Sequence, residues 1–192
     1  MKSETMQSPN QVYRPPENRG YFGIGVEGIS KPMNLGNLFR TAHAFGASFA
    51  FTINAHYSLT LGKSDTSGTP ESVPFYRFKA ADELVLADGC ALIGVELTET
   101  AKELPSFHHP RCAAYVLGPE RGSLTATLMN RCSQIIRIPT KFCVNVGTAG
   151  AIVMYDRLLS TGKFAERPVG STGPTIERAR HIHGAPKKRN KG

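Results

Sequence analysis

Ile135-Ile136-Arg137-Ile138-Pro139, followed after a short loop by Asn145-Val146-Gly147-Thr148-Ala149-Gly150-Ala151-Ile152-Val153-Met154-Tyr155, is the stretch that decides the fold. An apolar run closed by a proline reads as a strand, because proline has no amide hydrogen for a sheet ladder. The loop then enters a helix that opens almost wholly on small residues. Gly-Thr-Ala-Gly-Ala lets a loop, a ligand or a partner chain come close to the helix backbone. A strand feeding a helix is the repeating unit of a parallel α/β sheet.

The same unit recurs upstream. Tyr21 to Glu27 reads as a first strand. Asn34 is a good helix cap, and Leu35, Leu38, Phe39, Ala42 and Phe45 follow at helical spacing until Gly46 stops the helix. Ser48–Ile53, Ala91–Leu97, Cys112–Leu117 and Gln134–Ile138 read as further strands. Ala80–Leu86 reads as a short helix, Leu124–Arg131 as another and Gly147–Ser160 as the last of the core. The expected fold class is α/β, with a mainly parallel sheet and helices on both faces. Residues 55–74, rich in Gly, Ser, Thr and Pro, read as a long loop of the kind that often carries function. The expected organisation is an N-terminal extension over 1–20, one domain over 21–160, and a loosely ordered basic tail over 161–192.

The chain has 192 residues, 40% of them hydrophobic, enough for one domain with a sizeable core. Its mean hydropathy of -0.23 suits a soluble globular protein. No segment approaches the roughly 20 apolar residues of a membrane span. Met1 to Gly20 is polar and proline-bearing, without the apolar centre of a signal peptide, so a cytoplasmic location is expected. Cys90, Cys112, Cys132 and Cys143 form no Cys-x-x-Cys pair and match no zinc spacing, so no metal or disulfide framework is expected. Only Cys143, in the loop before the small-residue helix, stands where a site would form.

The net charge of +8 is unevenly placed. Residues 162–192 hold eight Lys and Arg against two Glu, whereas the rest of the chain is nearly balanced. A basic tail of this kind attracts polyanions, and nothing amphipathic points to a membrane surface, so RNA or DNA is the favoured partner. Gly23-x-Gly25-x-x-Gly28 matches the dinucleotide fingerprint as a bare pattern. The glycines fall inside the strand, however, and no Asp or Glu occurs between residues 28 and 64 to bind a ribose. A nicotinamide site is therefore rejected.

Three constellations remain. In Asn34-x-Gly36-x-x-x-Arg40, an arginine near a helix start suits a phosphate or ribose oxygen, because its planar fork donates two hydrogen bonds. In Leu117-Gly118-Pro119-Glu120-Arg121-Gly122, a Gly-rich turn leaves an apolar strand and offers backbone amides to a ligand's polar edge. The third is the opening stretch, with Asn145 at the helix entry. All three loops leave strands at their carboxyl ends, where α/β folds bind ligands.

Together, over about residues 21–160, the three resemble the motifs of the SpoU-type RNA 2′-O-ribose methyltransferases of the SPOUT superfamily, also called TrmH-like. The resemblance implies a C-terminal deep trefoil knot, a homodimer and S-adenosylmethionine as cofactor. Cofactor contacts would come from Leu97, Thr98, Leu117, Gly118, Gly122, Ile138 and Val144. Arg40 matches the family's catalytic arginine, which usually works across the dimer interface, and Asn34, Glu120 and Asn145 match its other polar active-site positions. Where the family commonly has Ser-Leu-Asn, this chain has Cys143-Val144-Asn145, and a thiol is a weaker donor than a hydroxyl. The resemblance implies methyl transfer to a ribose 2′-hydroxyl, with tRNA favoured over rRNA because small family members mostly act on tRNA. The alternative is a non-catalytic RNA-binding module that keeps the fold. RNA affinity is expected from Arg40 and from the tail cations Arg178, Arg180, Lys187, Lys188, Arg189 and Lys191.

Overall fold

A computed structural model describes residues 20–56, 73–119, 122–162 and 164. Among these residues seven strands form one sheet: β1 (Tyr21–Glu27), β2 (Phe49–Ile53), β3 (Phe75–Phe78), β4 (Ala91–Val95), β5 (Lys102–Glu103), β6 (Cys112–Leu117) and β7 (Gln134–Arg137). Their order is β3-β2-β1-β6-β4-β7-β5, and every neighbouring pair is parallel. Among the described residues three α-helices accompany them: α1 (Pro32–Ala44), α2 (Ala126–Arg131) and α3 (Val146–Thr161). The central strands β1 and β6 are buried almost end to end, as strands covered on both faces must be.

Two apolar layers make the core. On one face Phe22, Ile24 and Val26 of β1 pack with Leu35, Leu38 and Phe39 of α1 and Val153 and Met154 of α3. On the other, Phe49 and Phe51 of β2, Leu92 of β4 and Val116 of β6 pack with Leu128 of α2 and with Ala81 in a single turn of 3-10 helix. Helices on both faces of a parallel sheet were the expectation, and the sheet has that form.

Some boundaries differ from the expected ones. The cap of α1 is Lys31 rather than Asn34, because Pro32 takes the first helical position, where its fixed φ and missing amide are tolerated. Asn34 falls inside the first turn, and its side chain is released for another partner. Ala80–Leu86 contributes only the 3-10 turn Ala81–Glu83. The helix expected from Leu124 begins at Ala126, with the Thr125 hydroxyl accepting from the Leu128 amide at 3.3 Å. Gly46, at φ +69°, ends the α1 region as expected. The long loop expected over 55–74 lies mostly outside the described residues.

The false dinucleotide pattern has a packing explanation. Gly23 and Gly25 sit beside Phe49 and Phe51 in the β1–β2 register. A Cβ on Gly23 would lie 2.2 Å from the Phe49 ring, and one on Gly25 would lie 2.5 Å from the Phe51 ring. The glycines are the floor on which two phenyl rings lie.

Candidate functional site

The described residues form a cleft of about 160 Å³ across the carboxyl ends of three neighbouring strands, β6, β4 and β7. Each strand supplies the loop that follows it. From β4 come Glu96 and Leu97, from β6 Gly118, Pro119 and Gly122, and from β7 Ile138, Thr140, Cys143 and Val144; Val146 and Ala149 of α3 close one side. This is where an open α/β sheet places a ligand.

The residues expected at a cofactor converge here. Leu97, Leu117, Gly118, Gly122, Ile138 and Val144 all line the cleft. Thr98, which follows Leu97, does not line the cleft, and its hydroxyl is buried with no hydrogen-bond partner among the described residues. Cys143, exposed, also lines the cleft. Thr140 shapes the loop between them by donating its hydroxyl to the Phe142 carbonyl at 2.9 Å.

Asn145 joins this loop to the first constellation. Its side-chain oxygen accepts from the Gly147 amide at 2.9 Å, which caps α3. Its side-chain amide donates to Asn34 Oδ1 at 3.1 Å. The entry of α3 is thus fastened to the first turn of α1. Close packing makes this reach possible: a Cβ on Gly147 would lie 3.4 Å from Asn37 Cβ, and one on Gly150 would lie 2.3 Å from Leu38 Cδ1. The partner that the small-residue helix admits, among the described residues, is α1. Arg40 is exposed on the same helix and does not line the cleft. Glu120 and the tail cations Arg178, Arg180, Lys187, Lys188, Arg189 and Lys191 lie outside the described residues.

Sequence reading did not single out the two carboxylates that hold Leu124 and Thr125 at the start of α2. Glu27, only 4% exposed at the end of β1, accepts from the Thr125 amide at 2.8 Å and the Thr125 hydroxyl at 2.7 Å. Glu96, after β4, accepts from the Leu124 amide at 2.9 Å and the Leu97 amide at 3.0 Å. A carboxylate taken out of water needs such donors, and each thereby pins a loop to a strand end. Gly118 leaves room for this, since a Cβ there would lie 3.0 Å from Glu96 Oε2. The signal available in the sequence was an acid closing each of two apolar strands. Among the described residues no group of three or more His, Cys, Asp and Glu is placed to hold a metal ion, and no helix is long and apolar enough to cross a membrane.

The cleft sets apolar side chains beside the backbone of three loops, an arrangement that suits a small ligand with apolar and polar parts. Residues 22–155 match the model of the SpoU rRNA Methylase family. The mouse tRNA (guanosine(18)-2′-O)-methyltransferase TARBP1 is 26% identical over 137 residues, which is 67% of this chain and 9% of that protein. A Staphylococcus aureus protein, provisionally named a TrmH family tRNA/rRNA methyltransferase, is 28% identical over 68% of this chain and 56% of its own length. This chain therefore spans about half of one such relative and a small part of the other. The crystal structure of the SpoU methyltransferase AviRb from Streptomyces viridochromogenes with its cofactor AdoMet aligns with a TM-score of 0.66, at 20% identity, over 78% of this chain and 62% of AviRb.

Proposed function

The chain belongs to the SpoU rRNA methylase family, and from that membership we propose that it transfers a methyl group from S-adenosylmethionine to a ribose 2′-hydroxyl of RNA, with tRNA as the preferred substrate. The observation that carries this reading is that two of the three separated motifs line one cleft, while the third is fastened to the entry of α3 by the Asn145–Asn34 hydrogen bond. The cofactor fits the residues present. Leu97, Leu117, Ile138 and Val144 would hold its adenine, Gly118 and Gly122 would offer backbone, and the Thr98 hydroxyl next to Leu97 in sequence is buried without a partner among the described residues. When bound, S-adenosylmethionine supplies an electrophilic methyl on a sulfonium, which is a good leaving group.

The protein's task is then to position the 2′-oxygen and to ease loss of its proton. A guanidinium stays protonated and has no acceptor, so Arg40 does not serve as the base. Its role in this reading is to hold the phosphate or the 2′-oxygen and to stabilise the negative charge that develops. Glu120, Asn34 and Asn145 complete the polar side of the site. The same reading includes a homodimer with Arg40 acting across the subunit contact, a trefoil knot in the C-terminal part of the domain, and a cytoplasmic location. One solved neighbour, whose subject is the 2-OH methylation of C/U34 on tRNA, shares the fold at 18% identity and a TM-score of 0.64 over 74% of this chain and 97% of that one.

Arg40→Ala is the test. Methyl transfer to bulk tRNA should fall by at least about a hundred-fold, the size expected for loss of one charge-stabilising donor. Calorimetric affinity for S-adenosylmethionine should stay unchanged. Unchanged turnover would remove Arg40 from the mechanism. RNA binding without any cofactor binding by the wild type would shift the reading to a non-catalytic RNA module, for which Cys143 in the family's serine position is the motivating departure. Mapping 2′-O-methyl sites in RNA from a deletion strain would identify the substrate.

A further inference from the structure

At the end of the sheet away from the cleft, the strand register sets two thiols side by side. The β1–β6 register places Tyr21 beside Cys112, and the β4–β6 register places Ala91 beside Ala113. Cys90 immediately precedes Ala91, so it stands opposite Cys112 on the neighbouring strand. Register partners in a parallel sheet direct their side chains to the same face, on strands about 4.8 Å apart. That spacing lies within the Cα separation of about 4.4–6.8 Å that a disulfide bridges. The two thiols are near enough for Cys112 to help raise the Cys90 thiol. Both are free and partly exposed, and Cys90 packs against the core layer beneath β4. The other two cysteines are placed differently: the Cys132 thiol donates to the Leu128 carbonyl at 3.2 Å, and Cys143 lines the cleft.

We propose that Cys90 and Cys112 form a redox modification site, a dithiol that a small-molecule disulfide of the glutathione class converts into an intramolecular cystine joining β4 to β6. The Cys112 thiolate attacks one sulfur of the oxidant. The oxidant's S–S bond breaks, and the first thiol departs with one proton. Cys90 then gives up its proton and attacks the Cys112 sulfur, which expels the second thiol. Two electrons and two protons pass from the pair to the oxidant, which leaves as two thiols. Burial pushes the Cys90 thiol up to about 12, with the neighbouring Cys112 as the next cause, so Cys90 is the resolving partner and the mixed disulfide forms on Cys112. The bridge is partly exposed and so open to small-molecule thiols, which makes the modification reversible. It closes the segment 90–112, which includes β4 and the turn that carries Glu96 and Leu97 to the cleft.

The experiment treats the folded full chain with oxidised glutathione and reads intact mass and non-reduced peptide maps. Wild type should lose the mass of two hydrogens, yield one cross-linked fragment containing Cys90 and Cys112, and recover its mass with dithiothreitol. Its thermal midpoint should rise on oxidation. Cys90→Ala should instead retain one glutathione on Cys112. Stable glutathione adducts on both Cys90 and Cys112 of the wild type, or a cross-link that involves Cys132 or Cys143, would overturn the proposal. The readout is independent of methyl transfer, so its failure and that of the functional reading are separate.

Discussion

Tyr115, fully buried in the middle of β6, shows how one side chain can fix the protonation of another. Arg157 Nη1 donates to the Tyr115 hydroxyl at 3.0 Å, and the same guanidinium donates to the Pro110 and Arg111 carbonyls at 2.6 and 3.0 Å. A guanidinium only donates, so the tyrosine accepts from it and passes its own proton toward His109 Nδ1, 2.6 Å away. This assigns the His109 proton to Nε2, which donates to Asp156 Oδ2 at 2.9 Å. A single neutral tautomer satisfies the network, and protonating Nδ1 would leave the tyrosine hydroxyl without an acceptor. Burial holds His109 below the ordinary imidazole range, against the upward pull of the Asp156 carboxylate. The unfolded chain therefore takes up a proton that the folded chain refuses. The stabilising contribution is complete above about pH 6.5, the unfolded value, and is lost as pH falls through the lower folded value. Urea midpoints of the wild type should drop between pH 7 and pH 5, and His109→Asn should be less stable at pH 7 with a shallower drop. Parallel pH profiles for the two proteins would show that His109 does not titrate in this way. None of this network was legible in the sequence, because it joins residues from a loop, a strand and a helix that only the fold brings together.

Elements were legible where their sequences are long and apolar. β1, β6 and α3 fall close to their expected limits because continuous apolar runs and small-residue spacing leave little choice. β3 and β5 were missed. Phe75-Tyr76-Arg77-Phe78 is four residues long and β5 is two, and each lies at an edge of the sheet, paired on one side only. So little sequence carries no periodicity. The glycines of β1 show the converse, a strong pattern with a different cause. Gly23 and Gly25 resemble a phosphate loop, yet they are needed by the rings of the next strand. Gly25→Ala tests that cause. Its methyl would meet three Phe51 ring atoms at 2.5–2.6 Å, and Phe51 is fully buried, so the ring cannot swing into solvent. Overpacking of this kind should cost about 1–3 kcal/mol, read as a lower urea midpoint at unchanged slope. An alanine variant as stable as wild type would show that the ring has other room.

At the scale of the whole molecule, charge and site occupy different parts of the chain. Two of the three motifs line the cleft because each follows the carboxyl end of a strand, and the parallel sheet aligns those ends. The supports of the cleft loops, Glu27 and Glu96, were not legible, since their partners Leu124 and Thr125 are remote in sequence. The proposed polyanion partner rests mainly on the charge, for most of the +8 lies in residues 162–192. If the domain positions the ribose and the tail gathers the polyanion, the two contributions separate on truncation. Deleting residues 175–192 removes Arg178, Arg180, Lys187, Lys188, Arg189 and Lys191 together with Glu177. Each phosphate contact contributes about 0.7–0.9 to the slope of log K against log salt, so six lost contacts make that slope shallower by up to about 4–5. RNA affinity should fall most at low salt, whereas calorimetric affinity for S-adenosylmethionine should not move. Identical salt slopes with and without the tail would mean that the polyanion is held by the domain, and attention would turn to exposed cations such as Arg40 and Lys141.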